Sequence, residues 1–327
     1  MKICFLDNTN FEYSYLDKFN PKLRGAETIL INLSENLKKQ GHDITVINNC
    51  SIKINNDSSK WYNINKTDLL ENSTYDVAIA NADARLFNKI SAKKKYIISF
   101  SLQSLEKFIR KKQLISYIKH KPIYLLIGKY HKQNRSKLIT LFGSKIINLA
   151  IDDIFNNTLL NKKIDKNLAI FTSHAERNLD LLINIWNNEI HPNFDNGKLL
   201  ITQKNNFVEK NNIFFRKMGS KQEMINDMLK SRIYLVPGHK AELFCLAAEE
   251  ARELCLPIVT LGIGSLKERV IHEKTGFIAK NSKEFANYTI ELFKDDFLWN
   301  SIRNNLLDLR GSKNWLTASQ NFLKQII

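Results

Sequence analysis

The chain has 327 residues, a length that suits two domains of about 150 residues better than a single core. Its 43% hydrophobic and 25% charged residues are typical of a globular protein, and no apolar run approaches the roughly 20 residues of a membrane span. The four cysteines form no CxxC pair and lie in apolar runs, which indicates reduced core residues and a cytoplasmic protein.

The net charge of +16 is concentrated in one segment. Residues 101–150 hold 11 Lys/Arg against 1 Asp/Glu, whereas residues 1–100 hold 14 against 11 and residues 151–327 hold 24 against 21. A local basic patch indicates an anionic partner, which is a phospholipid surface, a phosphorylated substrate or nucleic acid. An AT-rich genome is an alternative source of part of the lysine content.

Short apolar runs alternate with amphipathic segments along the chain. The spacing predicts, in order, a strand over 2–6, a helix over 26–39, and strands over 43–48, 75–79 and 95–100. The alternation restarts near residue 165, with predicted strands over 167–172, 198–202, 213–215, 233–236 and 257–260, and predicted helices over 179–186, 224–229 and 244–254. This order predicts two parallel sheets covered by helices, whose ligands bind at the carboxyl ends of the strands.

The stretch AELFCLAAEEARELCLPIV, from Ala241 to Val259, carries carboxylates on a helix that is otherwise apolar. Glu242 precedes the first turn and Glu250 lies on the flank of the apolar stripe, so both can face a ligand over the helix N-terminus. The N–H groups there favour a phosphate, and carboxylates accept from sugar or ribose hydroxyls. Glu249 and Glu253 fall opposite the stripe and are predicted to be solvated. The alternative is that Glu242 and Glu250 are also ordinary surface charges.

The residues from Val236 to Ala279 resemble the donor-binding region of family-4 retaining glycosyltransferases, the glycosyl transferases group 1. That family shows a proline, a Glu-x7-Glu helix of small residues, Pro-Val-Val, a Gly-rich turn, a Glu and Thr-Gly. The matching residues here are Pro237, Glu242, Glu250, Ala251, Pro257, Gly264, Glu268, Thr275 and Gly276. The segment from Arg24 to Ile47 is similar to the family's Gly-Gly-x-Glu loop and first helix.

The resemblance implies an α/β protein of the GT-B fold, in which two doubly wound Rossmann-like domains face each other across a cleft. Residues 1–160 would form the N-terminal acceptor-side domain. Residues 161–327 would form the C-terminal domain that binds the nucleotide sugar, with the last helix a candidate to return to the N-terminal domain.

The resemblance also implies a donor site. Glu242, which would contact the sugar hydroxyls, and Arg177, the main cation for the diphosphate, are the expected catalytic residues. Gly25 would lie under the diphosphate, and Ser173 is a further expected donor-binding residue. Lys217 and Met218 would lie near the base, and Glu250 would bind the ribose. The backbone N–H groups of Phe244, Cys245 and Leu246 would lie near the sugar and the diphosphate.

Departures from the family pattern, which include Ser265 in place of the second glycine of the Gly-rich turn, leave an inactive relative as an alternative. Leu243-Phe244-Cys245 replaces the family's Gly-Phe-Gly, so the backbone is expected to approach the sugar less closely. Ser173 stands where the first of two phosphate-binding cations is usual. The N-domain histidine of the family has no match.

The basic segment SLQSLEKFIRKKQLISYIKHK begins at Ser101 and ends at Lys121. Its apolar residues interleave with lysine and arginine, which is typical of a basic helix on an anionic membrane surface. The alternative is a core helix with one solvated basic face.

The function expected from the resemblance is retaining transfer of a sugar from a nucleotide-diphosphate sugar to an acceptor hydroxyl, in cell-surface polysaccharide or glycolipid synthesis. The enzyme would be a hexosyl- or related glycosyltransferase with no metal and no cofactor. Its partners would be the nucleotide sugar, a glycan or lipid-linked acceptor and the inner face of the plasma membrane, with no nucleic acid. Rival readings are a nucleic-acid-binding protein, favoured by the charge, and a non-transferring relative such as an epimerase.

Overall fold

The computed structural model describes residues 1–18, 20, 22–51, 54–56, 59–65, 73–202, 209–217 and 219–327. The chain divides into two compact units. Unit 1 comprises Met1–Ala150 and Trp315–Ile327, and unit 2 comprises Ile151–Asn314. The division thus falls after Ala150, where the sequence analysis placed it after residue 160, and the last helix is part of unit 1.

Unit 1 is built on one eight-stranded sheet with the order β3-β4-β2-β1-β5-β6-β7-β8. Only β3 and β4 pair antiparallel, and every other pair is parallel. The strands are β1 (Lys2–Leu6), β2 (Asp43–Asn48), β3 (Ile54–Asn56), β4 (Ser59–Asn63), β5 (Thr74–Asn81), β6 (Ser91–Ile98), β7 (Ile123–Leu126) and β8 (Ser144–Ile146).

The helices of unit 1 cover this sheet, and the inner strands are buried because both faces are covered. They are α1 (Gly25–Lys39), α2 (Leu105–Arg110), α3 (Leu114–His120), α4 (Lys129–Asn134) and, from the end of the chain, α11 (Trp315–Ile326). Helix α11 packs on α1, where the Gln40 side chain donates to the Ser319 hydroxyl over 2.6 Å.

The basic segment from Ser101 to Lys121 is not the single helix that the sequence suggested. It forms α2 and α3, two short helices separated by a turn in which Lys112 has a left-handed backbone with φ of 53°. Phe108 is buried and packs edge-on against Tyr117, with ring centroids 5.2 Å apart. The segment is therefore anchored to the core of unit 1 on one side only.

Unit 2 is built on a six-stranded, fully parallel sheet with the order β11-β10-β9-β12-β13-β14. The strands are β9 (Leu168–Phe171), β10 (Lys198–Ile201), β11 (Ile213–Phe215), β12 (Ile233–Leu235), β13 (Ile258–Thr260) and β14 (Gly276–Ile278). The helices are α5 (Asp153–Asn156), α6 (Leu179–Ile185), α7 (Lys221–Lys230), α8 (Leu246–Glu253), α9 (Ser282–Lys294) and α10 (Asp296–Leu309).

The order of unit 2 places β9 beside β12 at the centre of the sheet, with β10 and β11 on one side and β13 and β14 on the other. Chain direction across the sheet reverses at this pair, which makes it the switch point where parallel sheets open a crevice at their carboxyl edge. The loops that leave β9 and β12 are therefore the ones placed to hold a ligand.

Candidate functional site

Three loops of unit 2 converge at the carboxyl edge of its sheet. The loop after β12 lies against the loop after β13, where Gly238 pairs with Ile263 and the Ser265 N–H donates to the Glu242 carbonyl over 2.9 Å. Gly264 has φ of +73°, and a Cβ at this position would lie 2.3 Å from the His239 carbonyl oxygen. Only glycine fits there, which explains why the chain carries one at this turn.

The loop after β9 adds a cation to this point. Arg177 Nε lies 3.3 Å from Glu242 Oε2, and Arg177 Nη1 lies 3.4 Å from His239 Nδ1. The Ala241 N–H also donates to His239 Nδ1 over 3.1 Å, so this nitrogen acts as an acceptor. The Arg177 and Glu242 side chains are 31% and 19% exposed, so a ligand can still reach both.

Helix α8 begins directly behind this cluster. Cys245, which precedes α8, has a left-handed backbone with φ of 58°, and its N–H donates to Glu242 Oε1 over 3.2 Å. No side chain caps the N-terminus of α8, so the first turn keeps N–H donors without a side-chain partner. The predicted helix began at residue 244, whereas α8 begins at Leu246, because the turn at Cys245 interrupts it.

Glu250 lies one turn into α8 and is partly exposed. Loss of hydration raises the pKa of its carboxyl group to about 7; Asp152 acts in the same direction and Lys221 opposes it. Lys221 Nζ lies 2.8 Å from the carboxylate of the buried Asp152, so the positive charge of Lys221 is already paired. No cation among the described residues lies within 4.0 Å of the Glu250 carboxylate.

The prediction that Glu249 and Glu253 are solvated is wrong. Both are buried, with exposed fractions of 1% and 0%. Glu249 Oε1 lies 2.7 Å from Arg269 Nη1 and Glu249 Oε2 lies 2.9 Å from Arg252 Nε. Glu253 accepts from the Gly311 N–H and lies near the guanidinium groups of Arg252 and Arg310. A buried carboxylate persists when cations and N–H donors replace its water.

Arg269 joins this buried network to the candidate site. Its guanidinium carbon lies 4.4 Å from the centre of the Phe244 ring, and Phe244 is 6% exposed. The ring therefore packs inward under the loop that carries Glu242. Because the ring points inward, the predicted contact of Phe244 with the donor can come only from its backbone N–H group.

The other predicted residues lie in different places. Ser173 is buried, and its hydroxyl lies 3.0 Å from the Tyr234 hydroxyl, so it belongs to the floor of the loop after β9. Lys217 is exposed after β11, the edge strand, and Gly25 is the first residue of α1 in unit 1. Met218 lies outside the described residues.

Two residues near the site were missed by the sequence analysis. Lys221 is the first residue of α7, whose start is fixed by a capping box between Ser220 and Glu223, and the Ser-x-x-Glu spacing was a readable signal for it. The Asn178 side chain donates to the Gly238 carbonyl over 2.5 Å and so connects the loop after β9 to the loop after β12. No local pattern marks that contact, because its partners lie 60 residues apart.

Within the described ranges, no group of three or more His, Cys, Asp or Glu side chains is arranged to hold a metal ion. The helices in the same ranges include none with the length and apolar character of a membrane span.

Residues 191–306 match the family model described as Glycosyl transferases group 1. The match covers α8 with both of its flanking strands. No curated protein sequence matches the chain significantly.

Solved structures of glycosyltransferases resemble the whole chain. The structure of HepE from Anabaena, in complex with UDP and glucose, has a TM-score of 0.70 at 14% identity and covers 99% of each chain. WaaG, a glycosyltransferase involved in lipopolysaccharide biosynthesis, has a TM-score of 0.70 at 10% identity over 99% of each chain. Sucrose-phosphate synthase from Thermosynechococcus elongatus has a TM-score of 0.67 at 12% identity over 99% of this chain and 98% of its own. These likenesses show the fold, and the predicted GT-B class with two Rossmann-like domains is confirmed.

Proposed function

We propose that this chain, whose residues 191–306 match the glycosyl transferases group 1 model, is a retaining glycosyltransferase. In this proposal it transfers a sugar from a nucleotide-diphosphate sugar to an acceptor hydroxyl. The observation that carries the proposal is the meeting of Arg177 with Glu242 at the uncapped N-terminus of α8, beside the switch point of a parallel sheet.

The chemistry of this cluster suits a departing diphosphate. Negative charge grows on the leaving diphosphate as the glycosidic bond breaks. Arg177 can hold two phosphate oxygens at once, and the N–H groups of the first turn of α8, from Leu246 onward, add oriented donors. Such groups stabilise the charge without rearranging during the reaction. In this role Arg177 is the catalytic cation.

The two glutamates have different tasks in this proposal. Glu242 is held by the Cys245 N–H and by Arg177 and is assigned to the hydroxyls of the donor sugar. Glu250 has no close cation among the described residues and is assigned to the ribose hydroxyls, which donate to it when the nucleotide binds. Lys217 and Met218 near the base, and Gly25 in unit 1, remain predictions.

We infer that the reaction is independent of a metal ion and of any cofactor, because Arg177 and the start of α8 meet the charge of the diphosphate. Activity that survives a chelator such as EDTA would support this inference. Loss of activity in EDTA, with recovery on addition of a divalent cation, would contradict it.

The donor assignment is tested by thermal shift of the full chain against UDP-, GDP-, ADP-, dTDP- and CMP-sugars. We expect one nucleotide to raise the melting temperature, and we expect Glu250→Ala and Arg177→Ala to lose that shift. Glu291→Ala, an exposed glutamate of α9 outside the site, is the matched control and keeps the shift. If no nucleotide sugar shifts the wild-type chain, the site is degenerate and the proposal fails.

The retaining stereochemistry needs product analysis. The anomeric configuration of the transferred sugar, read by NMR, is expected to equal that of the donor. An inverted product would remove the retaining assignment. Free epimerised sugar nucleotide formed without an acceptor would favour the epimerase alternative.

We propose a glycan or lipid-linked acceptor in cell-surface polysaccharide or glycolipid synthesis, on the cytoplasmic side of the membrane. The role of WaaG in lipopolysaccharide biosynthesis supports this proposal by analogy. The surface of α2 and α3 supports it independently. Ile109, Leu114, Ile115 and Ile118 are 53%, 43%, 82% and 53% exposed there, among exposed lysines. Exposed apolar side chains among basic ones fit an anionic lipid surface.

The membrane contact is tested by co-sedimentation with vesicles. We expect binding to acidic vesicles, and weak or no binding to neutral ones. About 1 M salt, where the Debye length is roughly 3 Å, should abolish the binding. Ile115→Asp is expected to weaken it, whereas Phe297→Asp, at an 86% exposed phenylalanine of unit 2, is the matched control. Equal binding to neutral and acidic vesicles would overturn this part of the proposal.

A further inference from the structure

Unit 1 has a cavity of its own, with a volume of about 400 Å³. Its walls come from the segments that follow β1, β2, β4 and β5, so it opens at the carboxyl edge of the unit 1 sheet. Pockets for small molecules commonly span roughly 300–1,000 Å³, and this volume suits a mono- or disaccharide. The lining residues used below are Asn8, Asn10, Asn49, Asp83, Arg85 and Lys89.

Side-chain amides dominate one part of the wall. The Asn49 amide donates to the Asn10 carbonyl over 3.0 Å, and the Asn8 amide donates to Asp83 Oδ2 over 2.9 Å. An asparagine side chain both donates and accepts, as a sugar hydroxyl does. A wall of amides is therefore suited to a ligand with several hydroxyl groups rather than to an apolar one.

Hydrogen bonds to the buried Asp7 hold the loop after β1, which carries Asn8 and Asn10. Asp7 is 2% exposed and accepts from the Tyr13 hydroxyl over 2.6 Å, from the Asn81 amide over 3.0 Å and from the Thr9 N–H over 3.1 Å. These bonds hold the loop after β1 in place before any ligand arrives. Preorganised polar groups lose less entropy on binding, so the cavity is already formed as a recognition surface.

The other part of the wall carries an excess of positive charge. Arg85 holds Asp83 with Nε at 3.0 and 3.2 Å and Nη2 at 2.6 Å from the carboxylate oxygens. The Asp83 side chain is 4% exposed, whereas that of Arg85 is 45% exposed. Lys89 donates to the Ile64 carbonyl over 2.8 Å and adds a second cation. Among the residues that line the cavity, two cations face one carboxylate, so the lining itself carries one net positive charge; the buried Asp7 carboxylate lies beneath the loop and accepts from Tyr13, Asn81 and Thr9.

We infer that this cavity binds a saccharide with an anionic substituent, a carboxylate or a phosphate, and that this saccharide is part of the acceptor. The amide wall recognises the hydroxyls, and Arg85 with Lys89 recognises the anion. Naming the ligand the acceptor rests on the proposed function, but the binding itself does not.

The test is ligand-observed NMR on the full chain with glucose, glucuronic acid and glucose 6-phosphate as probes. We expect at least one acidic sugar to bind about tenfold more tightly than glucose, as charge-assisted hydrogen bonds are stronger than neutral ones. Preference for glucuronic acid indicates a carboxylate, and preference for glucose 6-phosphate a phosphate. Equal binding of all three probes, or no binding, overturns the inference.

Variants locate the binding and separate it from the donor site. Lys89→Gln is expected to reduce the preference for the acidic sugar about tenfold. Arg85→Gln should do the same, but it also strips the nearly buried Asp83 of its cation, so Lys89→Gln is the decisive variant. Lys93→Gln, at a 71% exposed lysine of β6 that does not line the cavity, is the matched control. An acidic-sugar preference unchanged in Lys89→Gln overturns the inference.

The donor thermal shift separates the two proposals. If Lys89→Gln loses the sugar but keeps the nucleotide shift, the cavity is a separate saccharide site. If no nucleotide binds while the acidic sugar still does, the proposed function fails and the saccharide site stands.

Discussion

Helix α8 carries carboxylates on two faces, and the surroundings of these carboxylates differ between the faces. Glu249 and Glu253 on the rear face are buried, and cations or N–H donors of unit 2 surround them. Glu250 is partly exposed, and no cation among the described residues lies within 4.0 Å of its carboxylate.

This difference distinguishes carboxylates that stabilise the fold from a carboxylate that is available to a ligand. A carboxylate whose partners are built into the protein stabilises it only as part of a complete network. A carboxylate that lacks partners costs stability while it is charged, and a ligand with hydroxyl donors can supply what is missing. The rear face is therefore structural, and the Glu250 face is the one that the proposed function uses.

The largest effect is expected from breaking the rear network. Glu249→Ala leaves Arg252 and Arg269, each 9% exposed, without their shared carboxylate. We expect a loss of about 3–5 kcal/mol in the free energy of unfolding, because two buried cations lose their nearest anion and keep only the more distant carboxylates of Glu253, at 3.9 Å, and Glu268, at 3.7 Å. Urea unfolding of the wild type and the variant measures this loss.

Glu291→Ala, an exposed residue of α9, is the control and is expected to change stability by less than about 0.5 kcal/mol. A double variant, Glu249→Leu with Arg269→Met, should be less destabilised than the sum of its single changes, because both partners of one pair leave together. A Glu249→Ala variant as stable as the control would show that the rear face is not a network.

The second effect concerns pH. Burial raises the pKa of Glu250 from its ordinary value of 4.5 to about 7 in the folded chain. Between pH 4.5 and 7, the folded state therefore keeps a proton that the unfolded state has released. Stability is therefore full below pH 4.5 and falls as the pH rises through 7. Glu250→Gln, which mimics the protonated group, should raise the free energy of unfolding at pH 8 by up to about 3 kcal/mol and change nothing at pH 4.

Chemical unfolding at pH 4, 6 and 8 measures this pH dependence. The same variant is expected to bind the nucleotide sugar more weakly, because an ionised carboxylate is the stronger acceptor for hydroxyl groups. A Glu250→Gln variant that is less stable than the wild type at pH 8 would mean that the ionised carboxylate has partners in the fold.

The sequence analysis placed Glu250 at the flank of the apolar stripe, but it did not predict that Glu249 and Glu253 on the rear face are buried. The reason is physical. The stripe of small residues on α8 locates the sheet side, and the flank position of Glu250 follows from 100° per residue. Apart from Arg252 on the same helix, the partners of Glu249 and Glu253 come from positions 269, 310 and 311, up to 58 residues away. Helical spacing cannot show that these residues return to cover the helix.

The same limit applies to the fold. Strands β1, β2 and β11 match their predicted ranges, because each is a short, mainly apolar run of the kind that forms strands in parallel sheets. The helix predicted over 101–121 is two helices, because the left-handed turn at Lys112 depends on the burial of Phe108 against Tyr117. That packing is tertiary, and no periodicity within the segment encodes it.

The smallest effect tests whether the rear face has surplus positive charge. Burial lowers the pKa of Lys313, and Arg269 and Arg252 lower it further, while Glu249 acts in the opposite direction. The folded state therefore releases this proton at a lower pH than the unfolded state, and stability rises as the pH increases toward the ordinary value of 10.5. Lys313→Met should raise stability at pH 7 by roughly 0.5 kcal/mol and remove that rise, as measured by urea unfolding at pH 7 and 10. A loss of stability in Lys313→Met would show instead that Glu249 needs this lysine as a third cation.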